Sequence, residues 1–97
     1  MASTVFVGQR ILIEIEFRLL GVPTDPSIVL CTSHAPSGTE AVLTYPNEAF
    51  IRRSDGLYEA SFLVNEPSTW VFRAEGAGVV DAVNEYTVSV QASGLNG

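Results

Sequence analysis

Arg10-Ile11-Leu12-Ile13-Glu14-Ile15-Glu16-Phe17-Arg18-Leu19-Leu20 is the stretch whose reading decides the fold class. Ile11, Ile13, Ile15, Phe17 and Leu19 fall on one face; Leu12, Glu14, Glu16, Arg18 and Leu20 fall on the other. A period of two over this length predicts one half-buried β-strand and excludes a helix. Glu14 and Glu16 beside Arg18 on the polar face are the residues of a strand at a sheet edge, where charge discourages unwanted pairing.

Outward from this stretch the chain repeats the same grammar. Gly21-Val22-Pro23-Thr24-Asp25-Pro26 holds two prolines and a glycine, which predicts a loop without regular pairing. Ser27–Ser33 reads as a second strand, and Ala35-Pro36-Ser37-Gly38-Thr39 as a hairpin turn. Glu40–Tyr45 and Phe50–Arg53 follow as strands, separated by Pro46-Asn47. Ser54-Asp55-Gly56 turns into Leu57–Asn65, where Tyr58, Ala60, Phe62 and Val64 alternate with polar neighbours. Trp70–Glu75 is the next strand, interrupted by Gly76-Ala77-Gly78, and Asp81–Val90 the last; Ser93–Gly97 reads as a loose tail. About seven short strands with regular turn signals predict an all-β fold, a β-sandwich in one domain over residues 1–97, with a small barrel as the competing architecture.

Composition narrows the function classes. Net charge is −6, and the cations are all arginine: Arg10, Arg18, Arg52, Arg53 and Arg73. An acidic chain without a basic stripe is not expected to bind nucleic acid. The apolar stretch from Arg10 to Val22 is broken by charges, so no membrane span is expected. Cys31 is the single cysteine, so no internal disulfide forms. With no basic start or apolar core in Met1–Gly8, the chain is expected to be made in, and to stay in, a reducing cytoplasm unless it leaves as part of something larger. Hydrophobic residues make up 46% of the chain, enough to leave apolar surface for a partner.

Three segments carry a resemblance. Asp55-Gly56-Leu57-Tyr58, then Glu66-Pro67-Ser68-Thr69-Trp70-Val71-Phe72, then Tyr86-Thr87-Val88-Ser89-Val90, are similar to the closing strands of filamin-type and related bacterial immunoglobulin-like domains. With the loop Gly21–Pro26 and the turn Pro36–Thr39, the whole resembles small immunoglobulin-like proteins encoded among the virion genes of tailed bacteriophages. The resemblance implies an immunoglobulin-like β-sandwich of about seven strands without a disulfide. It also implies a structural role in capsid decoration or at the head–tail neck of the virion, for a protein synthesised in the host bacterial cytoplasm. The implied partners are other virion proteins (capsid, portal or neck subunits) and a second copy of the chain. Contact residues expected on this basis are Val5 and Val7, within a Ser3–Val7 segment that adds a strand to a neighbour, Pro23, Asp25 and Pro26 in the loop, and Pro36 and Ser37 in the turn. The Cys…Trp…Cys core of antibody domains is absent.

Chemistry-bearing residues are sparse, and no enzymatic function or cofactor is expected. His34 lies at the edge of a predicted turn between Ser33 and Ser37, without the strand–turn–helix setting of a nucleophile; it reads as a solvated loop residue. Cys31 reads as a structural thiol and shows no zinc spacing. Asp25, Asp55 and Asp81 sit in or beside loops, two of which are placed to meet, but they supply too few oxygens for calcium. Tyr58 is expected to bury its ring and hydrogen-bond backbone through its hydroxyl, and Trp70 to plug the core. The alternative function is a carbohydrate- or cell-surface-binding module, with Trp70, Tyr45 or Tyr86 as its stacking platform.

Overall fold

A computed structural model describes residues 5–92; the expected tail Ser93–Gly97, and Ser3 and Thr4 of the N-terminal segment, lie outside the described residues. The alternating stretch forms strand β2 (Arg10–Glu16), burying Ile13 and Ile15 and exposing Leu12, Glu14 and Glu16. β2 pairs antiparallel with β8 (Leu57–Leu63), and β8 with β7 (Phe50–Ser54), so β2 is an edge strand, as its charges predict. A second sheet has the order β1 (Val5–Phe6), β10 (Ala82–Gln91), β9 (Ser68–Ala77), β5 (Ile28–His34) and β6 (Glu40–Thr44). Its neighbours are antiparallel except β1 and β10, which run parallel with Val5 opposite Val90. Seven strands of five or more residues carry the fold, and no helix occurs among the described residues.

The inward residues of both sheets meet in one core. Ile13, Ile15, Phe50, Tyr58, Ala60 and Phe62 come from the first sheet; Val29, Cys31, Trp70, Phe72, Ala74 and Val90 come from the second. The rings of Phe62 and Phe72 lie 5.0 Å apart across the two sheets, and Trp70 stacks on Phe72 at 6.1 Å. Tyr45, Phe50 and Phe17 pack edge-on around Tyr58. Such offset and edge-to-face contacts add to the burial of the rings themselves. Trp70 is the core plug its sequence position predicts, with its indole N–H donating to the Glu66 carbonyl at 2.9 Å. Cys31 is fully buried, and burial pushes its thiol up to about 12, leaving it unreactive.

Four expectations are corrected. Arg10–Leu20 is not one strand: β2 ends at Glu16, and Phe17 leaves the ladder because its N–H donates to Gly56 O at 2.7 Å while its carbonyl accepts from Thr24 N at 3.0 Å. Leu19, expected on the core face, is consequently exposed. Gly21–Pro26 does pair in part: β4 (Val22–Pro23) forms a small hairpin with β3 (Arg18–Leu19). A proline is tolerated there because it stands on an edge strand, where no ladder bond is required of its nitrogen. Gly76 and Ala77 do not interrupt the sixth long segment but continue β9; the chain turns at Gly78, whose φ is +100°. His34 is not a loop residue but the last residue of β5.

Candidate functional site

The β3–β4 hairpin stands out chemically. Its turn is Leu20-Gly21, with φ of 52° and 82°. Positive φ at both central residues is the signature of the I′ turn that joins tightly twisted strands, for which Asn-Gly is the favoured pair. Leucine is a costly choice there, since left-handed backbone crowds its Cβ by roughly 1–2 kcal/mol. Leu20 is also 96% exposed, and Leu19 and Val22 beside it are exposed as well. The hairpin is held rigid by Arg18, whose guanidinium donates to Gly21 O at 2.8 Å and to Glu16 Oε1 at 2.9 Å.

Beneath the hairpin lies a polar clamp built from two separate stretches of chain. Asp25 follows β4; Arg52 is on β7; Asp55, Gly56 and Tyr58 belong to the β7–β8 turn and the start of β8. Asp25 accepts from Arg52 Nε at 3.1 Å, from Gly56 N at 2.8 Å and from the Tyr58 hydroxyl at 3.0 Å. Arg52 reaches Asp55 with its other arm. The Arg52 hydrogen bond, then that of the Gly56 amide, hold the Asp25 carboxyl below its ordinary 3.8, against a smaller opposing effect of burial. Burial, with Asp25 second, pushes the Tyr58 hydroxyl up to about 12. The partner of Tyr58 is therefore a carboxylate and not backbone, which corrects the sequence expectation. Asp25 and Asp55 do meet, but around a guanidinium; Asp81 is elsewhere, accepting from Gly78 N at 3.0 Å.

The expected contact residues divide between two ends of the molecule. Pro23 is exposed at the end of the hairpin, Asp25 is committed to the clamp, and Pro26 is buried beside Gly76. Pro36 and Ser37 lie at the far end of β5. There Ser37 donates to Glu66 through its amide at 3.1 Å and its hydroxyl at 2.9 Å. Val5 and Val7 are half-buried against the core, and the β1 ladder is used within the chain, on β10. Leu20, Arg52 and Glu66 were not among the expected contact residues. The one sequence signal for Leu20 is a Leu-Gly pair where hairpin chemistry prefers Asn-Gly.

The remaining candidates are dispersed. Ser33 and His34 are successive strand residues and point to opposite faces. Ser33 is buried, and His34 Nδ1 lies 2.8 Å from Glu40 on the outer face. Four of the arginines, Arg18, Arg52, Arg53 and Arg73, are within ion-pair distance of carboxylates. Trp70 is 4% exposed and unavailable for stacking, while Tyr45 and Tyr86 are half-buried. A cleft of about 430 Å³ opens between the two sheets beside β6, floored by Phe62 and Trp70 and walled by Ala41 and Leu43. Comparison with protein-family models, curated proteins and solved structures returned no match.

Proposed function

We propose that the chain is an immunoglobulin-like β-sandwich that serves as a structural module of a tailed-phage virion, binding capsid, portal or neck subunits. The virion assignment comes from the motif resemblance of the loop, turn and closing strands. The observation that carries a binding role is Leu20: an apolar side chain held 96% exposed at a backbone position where leucine costs stability. A purely structural turn gains from Asn at that position, so the leucine is best explained by a pocket or seam that receives it. Leu19 and Val22 widen the apolar tip, and the clamp around Asp25 fixes its direction, so little conformational entropy is lost on docking.

Leu20→Asn is expected to raise stability by about 1 kcal/mol, read as a higher denaturation midpoint. The same variant is expected to lose its place in the particle. Mass spectrometry and cryo-electron microscopy of purified virions test the reading directly. Density for this fold, with its hairpin seated between subunits, supports it; absence of the protein from intact particles overturns it.

A further inference from the structure

Among the described residues, β6 and the part of β10 not covered by β1 leave open edges on the larger sheet, and they differ in chemistry. On β6, hydrogen bonds fix which backbone groups are used. Ala35 N donates to Thr39 O and Tyr45 N donates to Val29 O, each at 2.9 Å, at either end of the β5–β6 ladder. Antiparallel pairing alternates between bonded and non-bonded pairs. Counting inward from both ends, Ala41 and Leu43 bond to β5, whereas the N–H and C=O groups of Glu40, Val42 and Thr44 point away from the sheet. The outward row is thus Glu40, Val42, Thr44, with Val42 at its centre and 58% exposed. The centre of this row carries no charge, proline or bulge, the devices that blunt the other edges, and its one charge, Glu40, stands at the end of the row. β2 has Glu14 and Glu16, and β7 has Arg52, Arg53 and a register shift between Arg52 and Ser54. The open part of β10 carries Glu85 midway along its row.

We infer that β6 pairs antiparallel with β6 of a second copy of this chain, centred on Val42 opposite Val42. This register is self-complementary. Every outward N–H and C=O finds a partner: Val42 with Val42, and Glu40 with Thr44 in both directions. The like-charged Glu40 side chains are kept apart, each opposite a threonine hydroxyl. On the inner face the same register sets Ala41 opposite Leu43, a small residue against a large one. Both line the mouth of the inter-sheet cleft floored by Phe62 and Trp70, so pairing buries apolar surface as well as a ladder. A shift that centres on Glu40 sets two carboxylates face to face, and directly opposed like charges are destabilising. The product is one continuous sheet running through both copies about a two-fold axis. The inference is independent of the virion reading: a chain absent from particles still pairs this way.

Analytical ultracentrifugation of the full chain from about 10 μM to about 1 mM tests it, because short edge interfaces bind at the weak end of the affinity range. The mass is expected to rise with concentration from 10.4 kDa toward its double. Val42→Pro removes an N–H that has no partner among the described residues, and Val42→Lys sets two ammonium groups opposite each other. Each is expected to weaken association about tenfold or more. Thr44→Lys places an ammonium opposite the second copy's Glu40 and is expected to tighten association about threefold. A chain that stays monomeric throughout overturns the inference. So does a dimer indifferent to V42K, one broken instead by substitutions at Glu85 of β10, or one that T44K weakens.

Discussion

Replacing Gly56 with alanine is expected to cost the fold about 4 kcal/mol, the sum of a strained backbone and lost hydrogen bonds. Gly56 has φ of +69°, and an added Cβ would meet the Phe17 carbonyl oxygen and lie 2.6 Å from Thr24 N. Both contacts are backbone, so no rotamer change relieves them. These same atoms form the knot at which β2 ends and the hairpin begins. The fitting control is Gly38→Ala, at φ +98° with nothing within 4 Å of the new methyl. Only the conformational cost applies there, about 1–2 kcal/mol. Urea denaturation of both variants separates the two effects, and equal losses would show that the clash at position 56 is absorbed.

Removing the Asp25 carboxylate is expected to be the next most damaging change. Asp25→Ala strips the buried Gly56 amide and the Tyr58 hydroxyl of their acceptor, at about 2–3 kcal/mol in all. For a domain of this size that lowers the melting temperature by about 10–20 °C. The same residue sets an acid limb. Its carboxyl is held below its ordinary 3.8 in the folded state, so the fold favours the ionised form. The stabilisation is complete above that value and fades as pH falls through the lower, folded pKa. Asp25→Asn keeps the shape and lacks the charge, so its stability is expected to be flatter than the wild type's as pH falls below about 4. Calorimetric scans across that window decide the matter; parallel curves for the two proteins would place the acid sensitivity elsewhere.

The strands were readable because their information is local. Ile13 and Ile15 against Glu14 and Glu16, or Tyr58, Ala60 and Phe62 against their neighbours, state a buried and an exposed face without reference to anything distant. The turn at Pro36–Thr39 was readable for the same reason, since Gly38 supplies the positive φ its geometry needs. The break at Phe17 was not, because it is imposed by Gly56 and Thr24, and apolar alternation runs straight through it to Leu19. The clamp was hidden likewise. Asp25 and Arg52 are each unremarkable in a charged loop and an edge strand, and only the folded chain brings them to 3.1 Å. Pro23 misled because prolines forbid pairing in central strands and merely limit it at edges.

The parallel pairing of β1 with β10 has a mechanical consequence. The strands run side by side in the same direction, Val5 beside Val90 and Phe6 beside Gln91. The N-terminal end of β1 and the C-terminal end of β10 therefore lie at opposite ends of this seam. A pull on these two ends draws β1 and β10 lengthwise past each other, loading their hydrogen bonds together in shear instead of unzipping them singly. Tension along the chain is thus resisted first at this seam, where Val7 N also donates to Gln91 O, and the core behind it bears load only once the seam slips.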